Sequence, residues 1–380
     1  MFSKEARLGL RTWIEIDKLA IAHNYRIFRS LIPKTTKLMA VVKSNAYGHG
    51  LVDFSKEIAA LGADWLAVDS IVEGLRLRKE GIETPMLVLG YTLPERIQEA
   101  VDNNISITIS NSFTAQGLKD LKLNGKVKVH IKIDSGMHRQ GFMVQEMKGI
   151  ITFLKEHQGD IEVEGLYTHF ASAKDPNETE PTQKQIQVFK KWITAFKDAG
   201  FNPITHAAAS GATLIFPETH FDMVRVGIAM HGIWPSVEAQ THMEKKYPLK
   251  PTLTWKTIIS EIKTLPKDEK VGYDFTEEVK RETVIGICPI GYWHGFPRSL
   301  SSIGITLVNG GKAKVIGRVS MDMIVIDITD VKDPKIGDEV VLIGQSENEY
   351  VGVADMAKLA DYSSYELVTR INPLIKKFYY

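Results

Sequence analysis

The sequence has little cysteine, almost no net charge and no long apolar run. Its single cysteine, Cys288, lies in an apolar segment, which excludes an internal disulfide framework and indicates a packed thiol in a reducing compartment. The 47 Lys and Arg residues balance the 46 Asp and Glu residues, so we expect neither a nucleic-acid nor a membrane-surface partner. Charges interrupt the N-terminal segment, and no apolar stretch reaches membrane-spanning length. We therefore expect a soluble, cytoplasmic protein without a signal peptide that binds a small neutral or zwitterionic ligand.

The length of the chain, 380 residues with 44% apolar content, favours two domains. In its first part, short apolar segments alternate with stretches of helical periodicity, a pattern typical of a parallel α/β sheet. The predicted strands are residues 38–43, 64–69, 86–90, 105–109, 127–133, 163–169, 204–209 and 222–227. Eight repeats predict a closed (β/α)8 TIM-like barrel over residues 12–243, with an open doubly wound sheet as the alternative.

The pattern changes near residue 240. Residues 240–251 are rich in glutamine, histidine, lysine and proline, and we interpret them as a linker. Short strands separated by turns follow, which predicts a mainly antiparallel β-domain over residues 244–380 that could also include residues 1–11. Within it we predict one helix, over residues 353–360, and a strand or irregular tail over residues 365–380.

A lysine stands at the end of the first predicted barrel strand. Residues 37–50 read KLMAVVKSNAYGHG, an apolar run that ends in Lys43 and continues as a polar loop broken by glycines. An amine beside a dry interior loses part of its solvation, which suits it for Schiff-base chemistry. Lys43 alone would be interpreted as a side chain that extends from a strand end into water.

The complete segment resembles the cofactor-binding motif A-V-V-K-x-N-A-Y-G-H-G of the alanine racemase family. The resemblance covers nearly the whole chain, with motifs in the expected order on both predicted domains. It implies that Lys43 carries pyridoxal 5'-phosphate and that a barrel is followed by a β-domain.

Two further strand ends carry family motifs. Residues 134–141, DSGMHRQG, resemble D-T-G-M-x-R-x-G, whose arginine, here Arg139, lies near the phenolic oxygen of the cofactor and the substrate carboxylate. In many family members the lysine that matches Lys132 is carbamylated and holds this arginine, which is a hypothesis for this chain. The histidine of the T-H-F-A motif, here His169, is expected on or beside the pyridine ring. Alone, Arg139 and His169 would be interpreted as a surface arginine and a structural histidine.

The last two barrel strands supply the expected contacts to the phosphate and to the ring nitrogen. Ser210 and the backbone N–H groups at the start of the next helix predict a phosphate site, to which the resemblance adds Gly227 and Ile228. The resemblance also implies that Arg225 faces the pyridine nitrogen. Because arginine stays charged, it donates a hydrogen bond without protonating the ring, which weakens the electron sink and disfavours transamination.

Racemisation requires that one proton is removed and another is delivered to the opposite face of the same carbon, which two bases on opposite sides accomplish. Lys43 is the first, and the resemblance of residues 271–274 to the family's V-S-Y-G turn makes Tyr273 of the partner subunit the second. A tyrosine hydroxyl is protonated at neutral pH, so this role requires positive charge nearby. The active form is then a head-to-tail homodimer with shared active sites. The resemblance assigns further contacts to the substrate carboxylate and to the phosphate, namely Met321 for the former and Tyr47 with Tyr365 for the latter.

The chain departs from the family pattern at several positions near these motifs. The unusual residues are Lys174 after the T-H-F-A motif, Ala209 in place of asparagine before Ser210, Gly211 in place of alanine, Trp293 and His294 in place of A-D, and Ser320 in place of cysteine. We expect these departures to affect the range of substrates and the sensitivity to thiol reagents, but not the type of reaction.

We therefore predict an isomerase that interconverts L- and D-alanine with pyridoxal phosphate and supplies D-alanine for peptidoglycan, with no metal site. The alternatives are a serine or broad-specificity racemase, a fold-related amino-acid decarboxylase and a catalytically silent pyridoxal-phosphate carrier. A decarboxylase, which needs a stronger electron sink, is expected to carry a carboxylate at the position of Arg225. A carrier would not need the domain with Tyr273 and Met321. A barrel without a cofactor would leave these motifs as coincidences.

Overall fold

A computed structural model describes residue 7 and residues 9–119 and 121–380. These residues form two compact units. The sheet unit contains the described residues up to Lys18, Tyr47–Gly50 and Pro251–Tyr380, and the barrel unit contains Leu19–Ala46 and Leu51–Lys250. The limits differ from the sequence-based boundaries, 12–243 and 244–380, mainly because strand β1 (Thr12–Ile16) pairs within the sheet unit.

The barrel unit contains a closed barrel of eight strands, which confirms the predicted fold. The barrel strands are β2 (Lys37–Val41), β3 (Trp65–Val68), β4 (Met86–Val88), β5 (Ser106–Ile109), β6 (Val127–Lys132), β7 (Ile161–Tyr167), β8 (Ile204–His206) and β9 (Met223–Val226). Each strand pairs in parallel with the next, and β9 pairs with β2 to close the barrel. Reacting groups of such barrels lie at the carboxyl ends of the strands.

The sheet unit is built around a ten-stranded, mainly antiparallel sheet, as predicted. Its other strands are β10 (Leu253–Ile258), β11 (Glu261–Leu265), β12 (Lys270–Val271), β13 (Glu277–Glu278), β14 (Thr283–Cys288), β15 (Ile305–Val308), β16 (Gly311–Ile316), β17 (Ile324–Asp327), β18 (Glu339–Ser346), β19 (Glu349–Val351) and β20 (Lys377–Tyr379). The strand order is β11-β14-β17-β16-β15-β18-β10-β1-β20, with β19 beside β18 and with β12 and β13 as a separate pair. The apolar segment 253–262 contains parts of two strands, β10 and β11, rather than one continuous strand.

Helices connect the barrel strands and flank the sheet. They are Lys18–Leu31, Leu51–Ala60, Ile71–Lys79, Ile97–Asp102, Ser112–Lys119, Met147–Glu156, Thr179–Asp198, Ser210–Ile215, Val237–Met243, Val353–Ala360 and Ser364–Thr369. Short 3-10 turns lie at Pro94–Arg96, Val144–Glu146, Pro217–Thr219, Ile228–His231, Tyr273–Phe275, Tyr292–His294 and Arg298–Leu300.

Apolar residues at helical spacing form the buried faces of the longer helices. In Thr179–Asp198 an apolar stripe is buried, with Phe189 and Trp192 at its centre. In Lys18–Leu31 the buried face runs through Ile21 and Phe28, and Leu19 is 81% exposed.

Two helices lie where the sequence pattern favoured other structure. Val237–Met243 overlaps the segment interpreted as a linker, and Ser364–Thr369 lies in the predicted strand or irregular tail, so that part of the prediction was wrong. The second helix has a clear local signal, because the side chain of Ser363 accepts the backbone N–H of Glu366. A serine three residues before a glutamate is typical of a helix start.

Cys288 is fully buried in β14, and burial raises the pKa of its thiol, as expected for a packed rather than a reactive cysteine. Within the described ranges, no helix combines the length and the apolar character needed to cross a membrane.

Candidate active site

Lys43 follows β2 and begins a left-handed turn, Lys43–Tyr47. The φ angles of Ser44, Asn45 and Ala46 are 55°, 57° and 49°. This conformation costs a residue with a side chain roughly 1–2 kcal/mol, so a run of such residues must be held by its surroundings. Strained backbone therefore lies directly beside the lysine that is predicted to carry the cofactor.

Two side chains hold this turn. Oδ1 of Asn45 accepts the backbone N–H of Leu51, the first residue of the next helix, at 2.9 Å. The carboxylate of Glu73 accepts the backbone N–H groups of Asn45 at 3.3 Å and of Asp69 at 2.8 Å. Glu73 thus links the loop that follows β2 with the loop that follows β3.

Lys43 is also paired with an acidic side chain. Its Nζ lies 3.2 Å from Oδ1 of Asp69, and the two side chains are 36% and 55% exposed. Ion pairs of this exposure contribute at most about 1 kcal/mol. The amine is therefore oriented by Asp69 but remains free to exchange this partner.

Asp134 organises the loop that follows β6. Its Oδ1 accepts hydrogen bonds from three successive backbone N–H groups, those of Gly136 at 2.8 Å, Met137 at 3.0 Å and His138 at 3.1 Å. Gly141 closes the loop with φ +133°, and a Cβ there would lie 2.5 Å from the carbonyl carbon of Ile133. The acidic residue and the last glycine of the D-S-G-M-x-R-x-G motif thus shape the loop that carries Arg139.

Lys132, at the end of β6, is buried, and its Nζ donates to Oε1 of Gln140 at 2.8 Å. Burial and then the charges of neighbouring cations lower the pKa of Lys132 to about 8, and Asp134 opposes this shift. The cations are Arg139, Arg225 and Lys43. Arg139 itself is exposed. Part of the Lys132 population is therefore a neutral amine at mildly alkaline pH.

Arg225, on β9, is buried and uses both terminal nitrogens. Nη1 lies 2.9 Å from Nδ1 of His206, and Nη2 lies 3.2 Å from Nδ1 of His169. Nη2 also donates to two backbone carbonyl groups, those of Thr168 at 2.7 Å and Ala207 at 3.0 Å. Burial lowers the pKa of Arg225 to about 10, so the guanidinium stays charged at neutral pH. Since a guanidinium only donates, both histidine nitrogens that face it are acceptors.

His169 is a neutral imidazole among cations. Burial, and then the charges of four neighbouring side chains, lower its pKa to about 3; these side chains are Arg225, Arg139, Lys132 and Lys43. Four cationic groups that act on one imidazole produce a strongly positive site. Such a site favours an anionic ligand, which would compensate their mutual repulsion.

The expected phosphate donors lie at the start of the helix that begins at Ser210 and at the start of the 3-10 turn that follows Gly227. Ser210 is buried at the start of its helix, and its Oγ accepts the backbone N–H of Gly227 at 3.1 Å. The first N–H groups of a helix lack intrahelical acceptors and are available to an anion. At Gly211, a Cβ would lie 2.8 Å from the carbonyl oxygen of Ala173 and 2.9 Å from Cβ of Lys174. The unusual glycine therefore accommodates the close approach of the equally unusual Lys174 loop.

Tyr47 and Tyr365 form a pair within the sheet unit. Their ring centroids lie 6.2 Å apart. Burial raises the pKa of both hydroxyl groups, that of Tyr365 to about 12, and the proximity of Tyr365 adds to the shift at Tyr47. Both hydroxyl groups therefore keep their protons at neutral pH and are able to donate hydrogen bonds.

Tyr273 is exposed on a 3-10 turn of the sheet unit. Gly272, before it, has φ +77°, and a Cβ there would lie 3.2 Å from the backbone nitrogen of Arg318. Arg318 Nε also forms an ion pair with Oδ2 of Asp274 at 3.0 Å. The turn that carries Tyr273 is thus fixed against the start of the segment 317–322, GRVSMD, which contains Ser320 and Met321.

The loop that carries Trp293 contacts the other end of the same segment. Tyr292 N–H donates to Ser320 O at 3.0 Å, and Trp293 N–H donates to Met321 O at 3.0 Å. Trp293 and Met321 are 59% and 54% exposed. Three sequence motifs therefore meet on one exposed, partly apolar face of the sheet unit, and such faces are typical of interaction surfaces.

The predicted residues fall into two groups. Those of the barrel unit are Lys43, Lys132, Arg139, His169, Ser210, Arg225, Gly227 and Ile228, and those of the sheet unit are Tyr47, Tyr273, Met321 and Tyr365. Sequence reasoning missed several polar neighbours, namely Asp69, Glu73, His130, Glu164 and His206. The one available signal was the presence of His130 and His206 on predicted strands. Across residues 7, 9–119 and 121–380, no group of three or more His, Cys, Asp and Glu side chains is arranged to hold a metal ion.

A closed barrel with a lysine just after its first strand and a buried arginine on its last strand, in a chain that also carries an antiparallel β-domain, is the arrangement expected of a barrel-type amino-acid racemase. Two family models match the chain: "Alanine racemase, N-terminal domain" over residues 16–235 and "Alanine racemase, C-terminal domain" over residues 252–379. The chain belongs to the alanine racemase family, which confirms the predicted enzyme class, an isomerase that racemises an amino acid.

Individual relatives agree over nearly their full length. The alanine racemase of Methanococcus maripaludis is 37% identical over 371 residues, which cover 97% of this chain and 98% of the relative. The alanine racemase of Clostridium perfringens is 38% identical over 371 residues, which cover 97% of this chain and 95% of the relative. The crystal structure of alanine racemase from Bacillus anthracis with bound L-Ala-P superposes with a TM-score of 0.92 at 35% identity, covering 97% of this chain and 95% of that one.

Proposed function

We propose that this enzyme interconverts L- and D-alanine with pyridoxal 5'-phosphate as its cofactor. The observation that carries the proposal is the buried Arg225, held as a charged donor at the end of β9 beside His169. A decarboxylase would need a carboxylate there to protonate the ring nitrogen and strengthen the electron sink. Arginine favours short-lived carbanions and therefore simple racemisation.

The donor set of the barrel unit fits pyridoxal phosphate. Lys43 supplies the amine that would hold the cofactor, and Arg225 supplies the donor for its ring nitrogen. Ser210, Gly227 and Ile228 supply the hydroxyl and N–H groups that a phosphate requires. When bound, the cofactor acts as an electron sink for the carbanion formed at the substrate Cα. We further propose that the hydroxyl groups of Tyr47 and Tyr365 donate to the same phosphate.

Two bases would move the Cα proton. Nζ of Lys43 serves one face of the substrate carbon, and Oη of the partner subunit's Tyr273 serves the other. A base that removes the proton on one face and an acid that delivers another on the opposite face invert the configuration. The cations around His169 would favour the ionised form of a tyrosine that enters this site.

The arrangement requires a head-to-tail homodimer. Its support is the exposed face of the sheet unit, where the turn of Tyr273 is fixed against the segment that leads to Met321. We propose that this face covers the barrel mouth of the partner subunit, where the backbone of Met321 and the side chain of Arg139 bind the substrate carboxylate. A monomer with full activity would contradict this arrangement.

Lys132 is proposed to be carbamylated. Its neutral amine would attack carbon dioxide, forming an N–C bond and releasing one proton, so that a cation becomes an anion beside Arg139. This reversal of charge would remove the repulsion between Lys132 and the neighbouring cations Arg139, Arg225 and Lys43. The lowered pKa of Lys132 supports this step because carbamylation consumes the unprotonated amine.

The wider role follows from the reaction. D-alanine produced by such an enzyme serves peptidoglycan synthesis, which we propose as its use here. The cytoplasmic location expected from the single buried Cys288 stays a prediction.

The proposed function is tested by incubating purified protein with L-alanine, L-serine or L-lysine, with and without added pyridoxal phosphate. We expect D-alanine to form fastest and only when the cofactor is bound. If D-serine forms faster than D-alanine, serine rather than alanine is the preferred substrate. Release of carbon dioxide would indicate the decarboxylase, and cofactor binding without turnover would indicate the carrier.

A further inference from the structure

A row of buried polar side chains crosses the barrel interior from Arg225 to a carboxylate. Nη1 of Arg225 lies 2.9 Å from Nδ1 of His206, and Nε2 of His206 lies 2.9 Å from Nδ1 of His130. Nε2 of His130 lies 3.4 Å from Oε2 of Glu164. Both histidines are fully buried. The arginine that is proposed to face the cofactor is thus connected to Glu164 through two imidazoles.

The donors and acceptors in this row can have only one direction. Arg225 can only donate, so Nδ1 of His206 accepts and its Nε2 carries the proton. That proton points to Nδ1 of His130, which therefore accepts, leaving the proton of His130 on Nε2. This Nε2 is buried, and among the described residues it has no hydrogen bond of good geometry. Glu164, 3.4 Å away, is the acceptor that the direction requires.

The charges agree with this direction. Burial lowers the pKa of His130 and lowers that of His206 well below the ordinary value, so both are neutral. Burial alone would raise the pKa of Glu164, but the adjacent His130 ring and the hydrogen bond from Ser106 lower it below the ordinary value. A cation and an anion thus stand at opposite ends of two polarised, neutral rings. Such rows strengthen their hydrogen bonds in a poorly solvated interior.

The backbone is shaped to make this contact. Between β6 and β7, Val129 pairs with Val163 but His130 pairs with Gly165, so Glu164 is an extra residue at a β-bulge. Bulges re-aim side chains and are common near active sites. A Cβ on Gly165 would lie only 2.1 Å from Nδ1 of His130. The glycine therefore leaves the space that the imidazole ring occupies.

We propose that Glu164 is a positioning residue for Arg225: through His130 and His206, its carboxylate fixes one direction of hydrogen bonding and one orientation of the guanidinium. The row is not a proton relay, because arginine does not release its proton. The claim that the oriented Arg225 guanidinium donates to the ring nitrogen of the cofactor rests on the function proposed above. The direction of the hydrogen bonds does not.

The first test needs no cofactor. Full-length protein labelled with ¹⁵N at histidine and arginine is examined by NMR, with signals assigned by single substitutions. We expect both His130 and His206 to be neutral, with the proton on Nε2 and a bare Nδ1. A proton on Nδ1 of either ring, or a charged ring, would overturn the proposal. This result decides the direction even if a variant at position 164 fails to fold.

The second test removes the charge. Glu164→Gln keeps the size and an acceptor oxygen, and Glu162→Gln is the matched control because it removes an exposed carboxylate from the same strand. In the cofactor-free protein, we expect faster hydrogen exchange at the Arg225 guanidinium in Glu164→Gln only. Equal exchange in the two variants would overturn the proposal.

The third test uses protein reconstituted with pyridoxal phosphate. In Glu164→Gln we expect kcat for L-alanine to fall with little change in KM, and the pH midpoint of the visible absorbance to move to lower pH. The shift is expected because loss of an anion disfavours protonated forms. A fall in activity with an unmoved midpoint would reduce Glu164 to a structural role. If the protein binds no cofactor, the proposed function fails while the first two tests still stand.

Discussion

The amine of Lys43 lies 3.2 Å from the carboxylate of Asp69. This ion pair joins the end of β2 to the loop after β3, so the lysine is oriented before any cofactor binds. A half-exposed pair is weak, so the covalent bond that we propose between Lys43 and the cofactor would easily replace it.

Lys43→Ala is therefore expected to abolish the visible absorbance of bound pyridoxal phosphate and to reduce racemisation to background. The matched control is Lys37→Ala, which removes the exposed lysine at the other end of β2 and should leave both unchanged. Spectra of the two variants after gel filtration with excess cofactor provide the measurement. Retained absorbance in Lys43→Ala would show that the cofactor is attached elsewhere.

Glu73→Gln tests the support of the strained turn. A carboxylate accepts from Asn45 and Asp69 at once, whereas an amide offers one acceptor oxygen and turns its NH₂ group toward the other N–H. A lost hydrogen bond to a charged group costs about 1.5–3 kcal/mol. We expect weaker cofactor binding, by about 10- to 100-fold, in a fluorescence titration. Glu83→Gln, at an exposed carboxylate nearby, should bind normally. Equal affinities would mean that Glu73 does not support the turn.

The sequence predicted the barrel because its strands are buried, apolar and regularly spaced. It did not predict the support of the site. From the sequence, Glu73 is an ordinary polar residue of an amphipathic helix. Its contacts with the loops after β2 and β3 form only in the folded barrel. Asn45 likewise accepts the N–H of Leu51 only because the turn is left-handed, and apolar patterning does not predict such a turn.

Glu164 escaped prediction for a related reason. On a regular strand, side chains alternate between faces, so strand periodicity does not reveal a side chain that is re-aimed by one extra residue. Motif resemblance, in contrast, gave the strand-end residues directly, since those positions follow the chain order. Long-range pairing of buried polar groups requires the closed fold.

Carbamylation of Lys132 should depend on pH in a defined direction. The pKa of this lysine is lowered to about 8, so the reactive neutral amine grows as pH rises through that value. In ¹³C-bicarbonate buffer at constant dissolved carbon dioxide, we expect a carbamate carbon signal that increases from mildly acidic to mildly alkaline pH. Lys132→Met should remove it and Lys128→Met, at the opposite end of β6, should not. An unmodified Lys132 at all pH values would refute the hypothesis.

Tyr273→Phe should make the two directions of racemisation unequal. In the proposed two-base mechanism, the variant would lose the proton-carrying Oη on one face of the substrate carbon and keep Nζ of Lys43 on the other. We expect exchange of the Cα proton with deuterated solvent to fall far more for one enantiomer of alanine than for the other. Tyr350→Phe, at another partly exposed tyrosine of the sheet unit, controls for the loss of a hydroxyl group. Equal losses from both enantiomers would count against a two-base mechanism.

Gly165→Ala tests the space reserved for His130. The added Cβ would lie 2.1 Å from Nδ1 of the imidazole, a separation that no relaxed structure keeps. Because backbone and ring are both enclosed, overpacking should cost about 1–3 kcal/mol. Gly149→Ala is the matched control: it lies in a helix with nothing within 4 Å of its added Cβ, so it should stabilise by about 0.5–1 kcal/mol. Denaturant unfolding of both cofactor-free variants provides the comparison. If Gly165→Ala is as stable as Gly149→Ala, the His130 ring yields freely, and the row from Glu164 to Arg225 lacks the rigidity that positioning requires.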